Sequence, residues 1–229
     1  MLQVSHLTKR YGQVTALSDV SFSVGPGEVL GLIGPNGSGK TTLFECLAGV
    51  LPADGGAVLL DGRALSLSGR SRAFFYMPDG IAPWPHQTVS WALAYVAGFF
   101  GSDSHSDHQS DPFALTPLLD MRIGELSKGQ RKRVLLALGL LTAAPILLAD
   151  EPFDGLDLKQ TREIGAALRT FASGGRTLFL SIHQISDAAR FCDRFVLLSG
   201  GRVCGEGSRD DITGRTRTDN LEDAFLALT

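Results

Sequence analysis

Gly34, Pro35, Asn36, Gly37, Ser38, Gly39, Lys40 and Thr41 follow the order G-x-x-x-x-G-K-[ST], in which each residue type suits a phosphate. Glycines let successive backbone N–H groups curl around phosphate oxygens, and a helix N-terminus behind them adds positive potential. The Lys40 ammonium neutralises the outer phosphates, and Thr41 offers a hydroxyl to Mg²⁺. Far downstream, Asp150 and Glu151 follow the apolar run Ile146-Leu-Leu-Ala149. Asp150 suits a metal shell, and Glu151 can orient or deprotonate a water. Ser127 and Gln130 have the spacing of a capping box at the start of a helix through Leu141. A capped helix N-terminus is also an anion site. The first pattern predicts a nucleoside triphosphate site, and the second makes sense if it completes another chain's pocket.

Such residues need strands to carry them. Val29 to Ile33 is a short apolar run that leads into the glycine-rich turn, with a helix predicted from Lys40 to Ala48. Thr177 to Ile182 is a similar run, and continuously apolar strands alternating with helices indicate a parallel sheet covered on both faces. The first 28 residues and Ala57 to Asp61 alternate more, as a half-exposed antiparallel sheet does. The tail predicts a hairpin, Phe195–Leu198 with Arg202–Cys204 around Gly200 and Gly201, then a short helix from Leu221.

Between these lies a different region. From Thr88, Val89, Leu93, Val96 and Phe100 fall at helical spacing beside a second stripe of Trp91, Tyr95 and Phe99. The polar stretch Gly101–Asp111 then has no periodicity and is expected to be a mobile surface loop. This reads as a helical subdomain inserted into the core, with the aromatic stripe expected inside it; an exposed docking surface is the alternative. Val134 to Ala149 is apolar but broken by Thr142 and Pro145, which suits a buried helix and a strand better than a membrane span.

The 229 residues, 44% hydrophobic and 20% charged, can bury a full core, which excludes disorder and a disulfide-stapled miniprotein. Lys+Arg 21 against Asp+Glu 24 gives a net charge of -3, so no basic field draws the chain to nucleic acid. Cys46, Cys192 and Cys204 have no metal-like spacing and read as reduced thiols of a cytosolic protein. Met1 to Gly12 lacks the apolar stretch of a signal peptide. His105 and His108 are expected in a solvated loop rather than at a metal. Lys128, Arg131, Lys132 and Arg133 form a basic run expected to decorate one helix near its start, the alternative being nucleic-acid binding.

With these residues in order, the chain resembles the ATP-binding subunit of an ABC transporter over nearly its whole length. Gly34 to Thr42 resembles the Walker A loop, Leu126 to Gln130 the signature motif, and Ile146 to Glu151 the Walker B strand. Gly155-Leu-Asp157 resembles the D-loop, His183 the switch histidine, and Tyr11 the aromatic that stacks on adenine. The ending Leu221–Thr229 is similar to export-type subunits that pair with separate permeases. The resemblance implies an α/β fold with a P-loop NTPase core, a mostly parallel sheet, an N-terminal antiparallel β-subdomain and an inserted helical subdomain. The chain is then one domain, with core and β-subdomain at about 1–83 and 144–229 and the helical part at about 84–143. It also implies ATP and Mg²⁺ as cofactors, a transmembrane permease, and a second ATP-binding subunit, a homodimer before a heterodimer. The expected place is the cytoplasmic face of a membrane.

In the implied head-to-tail dimer, Ser127 and Gly129 meet the γ-phosphate held by the other chain, and Gln130 of the same motif belongs to that nucleotide site. Asp157 links the two sites, Glu151 polarises water, and His183 holds the closed geometry. Two positions depart from the family pattern. Lys128 stands where glycine is common, and Asp79 ends Phe75-Tyr-Met-Pro-Asp79 where glutamine is usual. Asp79 is a hard oxygen donor and is expected to join Thr41 and Asp150 at Mg²⁺, the alternative being a cap on the turn toward Pro83. The rival reading is a soluble ATPase of the same family acting on nucleic acid or ribosomes.

Overall fold

The structure, a computed structural model, describes residues 1–100, 111–183, 185 and 190–229; His105 and His108 lie outside the described residues. Strands β3 (Val29–Ile33), β7 (Ile146–Asp150) and β8 (Thr177–Ser181) are buried at every position, as strands covered on both faces must be. Their alternate side chains go to opposite faces. Leu30, Leu32, Leu148 and Phe179 join one apolar cluster, while Val29, Ile33, Leu147, Leu178 and Leu180 join another.

With β6 (Phe74–Met77), β9 (Arg194–Ser199) and β10 (Arg202–Gly207) they form a six-stranded sheet of order β10-β9-β3-β8-β7-β6. All neighbours run parallel except β10, which returns from β9 through Gly200 and Gly201, both in the left-handed region. A second sheet, β2-β1-β4-β5, is antiparallel: β1 (Leu2–Tyr11), β2 (Val14–Val24), β4 (Gly55–Leu60) and β5 (Arg63–Ala64). It covers one face of the six-stranded sheet together with α1 (Lys40–Ala48), which buries Leu43, Phe44 and Leu47. Helix α2 (Leu67–Ala73) precedes β6.

The opposite face carries α3 (Val89–Phe100), α4 (Lys128–Leu141) and α5 (Leu158–Ser173). One sequence expectation fails here. The Trp91, Tyr95 and Phe99 stripe is not core: α3 buries Val89, Ala92, Val96 and Ala97, and the aromatics are exposed, Phe99 at 72%. The small Ala92 and Ala97 let α3 approach α4, whereas the larger rings pack on one another. Trp91 and Tyr95 stack at 5.1 Å, with Trp84 edge-on to both. Phe100, grouped by spacing with Val89, Leu93 and Val96, is exposed as well.

The basic run lies at the start of α4, as expected, but part of it turns inward. Lys132 and Arg133 are buried, at 2% and 9% exposure, because α4 lies between the sheet and the residues before it. Arg133 donates to the carbonyls of Phe113 and Ala114. The chain closes with α6 (Arg209–Thr216) and α7 (Leu221–Leu228). The cysteines are unpaired, and burial pushes the Cys46 thiol up to about 11. Among the described residues, no helix is long and apolar enough to cross a membrane.

Arg176 fixes the end of α4 to the sheet. Its guanidinium donates to the carbonyls of Leu140 in the last turn at 2.6 Å, of the cap residue Thr142 at 2.7 Å and of Ala144 just beyond at 2.6 Å, groups with no intrahelical partner. Arg176→Met should therefore lower stability by about 2–3 kcal/mol in urea unfolding. An unchanged midpoint would show that water replaces the guanidinium without loss.

Candidate functional site

Ile33 ends β3 at the floor of the phosphate loop, and α1 starts at Lys40 with no side chain capping its N-terminus. The free N–H groups of that first turn make it an anion site. Gly39 has φ 106°, and a Cβ there would lie 2.7 Å from the Ala16 carbonyl oxygen, so glycine is required. Gly201 N–H donates to Ser38 O at 3.0 Å and accepts at its carbonyl from Ser18 N–H at 2.8 Å, which braces the loop from behind. Pro35, Asn36 and Gly37 are exposed, and Gly34, Gly39 and Thr42 half-buried.

Lys40 is buried, its Nζ donating to Gly34 O at 2.7 Å and Pro35 O at 3.0 Å. Burial pulls its pKa below the ordinary lysine value, and the charges of Glu151 and Asp150 offset part of that. The buried Ser38 hydroxyl has no hydrogen-bond partner among the described residues. A buried hydroxyl without a partner fits a loop built for an oxyanion.

Asp150 ends β7 with 3% exposure. One carboxylate oxygen accepts from Thr41 Oγ1 at 2.8 Å, and the other accepts from Ser181 Oγ. Ser181 Oγ also accepts from Glu151 N–H at 2.9 Å. Glu151 has φ 49°, a conformation that costs a non-glycine residue about 1–3 kcal/mol and aims its carboxylate out of the strand direction. Glu151, Ser181 and the exposed His183 line one cleft of about 430 Å³, together with Asp154 and Gly155.

The Ser127 box forms as the spacing predicts: Gln130 N–H donates to Ser127 Oγ at 3.3 Å, and Ser127 N–H to Gln130 Oε1 at 2.9 Å. Asp157 caps α5 in the same way with Gln160. Gly129 packs so tightly on the following loop that a Cβ would lie 2.4 Å from Gly155 O. Tyr11 is half exposed at the end of β1, with Lys9 Nζ 5.6 Å from its ring centre.

Asp79 is held by two ammonium groups, Lys132 at 2.8 Å and Lys128 at 3.6 Å. Burial would raise its carboxyl, but these lysines bring it below the ordinary carboxylate value. Lys128 also pairs with Asp154, and Lys132 Nζ donates to the Asp150 carbonyl at 2.9 Å. One carboxylate oxygen each from Asp79, Glu151 and Asp154 fall within 4.8 Å of one another.

Residues 17–154 match the family described as "ABC transporter". The chain belongs to the ABC transporter family. Among curated ABC proteins it is 30% identical over 240 residues to the probable multidrug ABC transporter ATP-binding protein YbhF of Escherichia coli K12, covering 100% of this chain and 41% of that one. It thus spans less than half the length of that relative. It is 34% identical over 218 residues to the Nod factor export ATP-binding protein I of Paraburkholderia xenovorans LB400, covering 90% of this chain and 70% of that one. A solved ATP-binding subunit of an ABC transporter superposes with TM-score 0.87 at 29% identity, covering 100% and 99% of the two chains. A dimeric ABC cassette in a post-hydrolysis state with ADP and Pi gives 0.76 at 25% identity, covering 91% and 98%.

Two residues of this ABC cassette escape a reading of its motifs. Ser181 joins Asp150 to Glu151; its only signal is a hydroxyl ending an apolar strand two residues before His183. Lys132 reads as one charge among four, and its signal is the apolar run that begins at Val134, just past Arg133. Ser181→Ala removes a bond to a buried carboxylate, a contact of about 1.5–3 kcal/mol. The variant should lose about 10- to 100-fold in ATPase kcat with ATP KM within about threefold. Wild-type turnover would show that Asp150 and Glu151 keep their places without it.

Proposed function

We propose that the chain hydrolyses ATP as one of two paired cassettes and that this cycle drives export through a membrane permease. The observation that carries the reading is the separation of two anion-binding helix ends. Helix α1 rises uncapped from the phosphate loop, whereas the Ser127–Gln130 box makes no hydrogen bond to that loop among the described residues. A triphosphate on the loop leaves the second helix end for a ligand on another chain. A head-to-tail pair of copies uses both, with Ser127, Gly129 and Gln130 toward the opposite γ-phosphate and Asp157 at the joint. The dimeric cassette relative supports such pairing. The relatives named for multidrug transport and Nod factor export support the direction.

Tyr11 stacks on the adenine in this reading, and the phosphates accept from the loop N–H groups of Gly34–Thr42. Lys40 turns from its loop carbonyls onto them, and Ser38 Oγ gains its partner. The Thr41 hydroxyl and Asp150 carboxylate are hard oxygen donors of the kind Mg²⁺ takes, so they are the residues that would hold it. Bound there, the metal supplies positive charge against the phosphates. Glu151, turned into the cleft by its backbone, takes a proton from the attacking water. His183, on the same cleft, hydrogen-bonds the γ-phosphate and keeps the pair closed. In this reading the exposed Trp84–Trp91–Tyr95 cluster with Phe99 offers the permease an aromatic surface, and the chain works at the cytoplasmic face of the membrane.

Mixing Ser127→Arg chains with Lys40→Ala chains tests the composite site. Each homodimer should be inactive, while a mixed dimer keeps one intact site and should hydrolyse ATP at up to about half the wild-type rate. No recovery in proven mixed dimers would contradict the reading.

A further inference from the structure

Lys132 is 2% exposed, and a lysine so deeply buried needs a counter-charge and hydrogen-bond acceptors for its ammonium. It has both. Its Nζ lies 2.8 Å from Asp79 Oδ1 and donates to the Asp150 carbonyl at 2.9 Å. Three elements meet at this one nitrogen: the end of β6 through Asp79, the first turns of α4 through Lys132 itself, and the end of β7 through Asp150. Lys128 lies one helical turn before Lys132, so both reach the same acid, and Lys128 continues the chain of charges to Asp154.

We propose that Asp79 is a positioning residue whose work is to hold Lys132, and that Lys132 in turn fixes the Asp150–Glu151 turn against α4. The inference rests on the reading of Asp150 and Glu151 as the hydrolytic pair. Asp79 then meets no metal. Its carboxylate is the counter-ion that lets an ammonium sit beneath the strand end, and two lysines already occupy its oxygens. The hold matters because Glu151 stands in the left-handed region, with one side-chain hydrogen bond, from its N–H to Ser181, fixing the turn from the other flank. Loosening the Asp150 carbonyl frees that turn to relax toward ordinary backbone angles and moves the carboxylate off the water. The phosphate loop has a further brace of its own, through Ser38, Gly201 and Ser18. Its tie to Asp150 runs from Thr41 to the side chain rather than to the carbonyl that Lys132 holds, so nucleotide affinity should change little when the pair is cut.

Asp79→Asn, Lys132→Met and the double variant decide this by two readouts. The first is urea unfolding of the full chain without nucleotide or metal. Each single variant should lower the midpoint, and the double variant should lose clearly less than the sum, because an ion pair couples its members. The second is steady-state ATPase. Each single variant should lose about 10- to 100-fold in kcat, the scale of a misplaced catalytic group, with ATP KM and the Mg²⁺ needed for half-maximal rate within about twofold of wild type. Additive midpoints would show that the pair does not form and overturn the proposal. Coupled midpoints with wild-type kcat would make the pair merely structural and overturn it too. A tenfold or greater rise in the Mg²⁺ requirement of Asp79→Asn, with Lys132→Met unaffected, would make Asp79 a metal ligand instead. Because the unfolding cycle needs no turnover, a failure of the Ser127 mixing experiment leaves it interpretable.

Discussion

A carboxylate buried at the end of a strand is unstable unless several donors hold it, and Asp150 is such a group. Its two oxygens are divided between the hydroxyls of Thr41 and Ser181, while Lys132 takes its backbone carbonyl. The parallel register makes this possible: Asp150 faces Ser181 across β7 and β8, and Leu32 of β3 faces the other edge of the same serine. The phosphate loop, the hydrolytic turn and α4 are therefore tied at one point. A slip of one residue in either strand pair would send these side chains to the opposite face of the sheet.

Charge is laid out to suit that point. Lys40 and Lys132, both buried, lie on different sides of the strand end, one on the phosphate loop and the other in the helix that Ser127 begins. Acids flank it outward, Glu151 toward the cleft and Asp79 and Asp154 toward Lys128. Under the proposed reading, a triphosphate on the loop replaces the carbonyls that hold Lys40, whereas the Lys132 contacts need not change. In the proposed pairing, ligand-driven movement acts between chains, while the Asp150–Glu151 turn stays preorganised within each one.

The phosphate loop, the paired acids, the Ser127 box and the β9–β10 hairpin were legible because their chemistry is local. Each is set by residues within a few positions of one another. Ser181 was not, since its role depends on which strand lies beside β7. Lys132 was obscured by its neighbours: four charges close together look solvated, yet a helix turns them to different sides, and only packing decides which side is inside. The aromatic stripe of α3 was misplaced for a related reason, though Val89 and Val96 of the other stripe are core. Both stripes are apolar, and the smaller Ala92 and Ala97, rather than hydrophobicity, select the face that meets α4. Asp79 stood out by departing from its family's pattern, but its partners lie on a helix about 50 residues away.

The central claim is that Asp150 is held by Thr41 and Ser181 so that its charge serves a metal carried with the nucleotide. Calorimetric titration of ATP into wild type and Asp150→Asn, with and without Mg²⁺, tests it most directly. An asparagine keeps the shape and much of the hydrogen bonding but removes the charge. Metal-free ATP should bind the variant as tightly as wild type or more so, since a repulsive charge is gone. Binding with Mg²⁺ should weaken by at least about tenfold, a loss near 1.4 kcal/mol. Equal weakening of both forms would contradict the account by making Asp150 a structural acid, and so would no change in either.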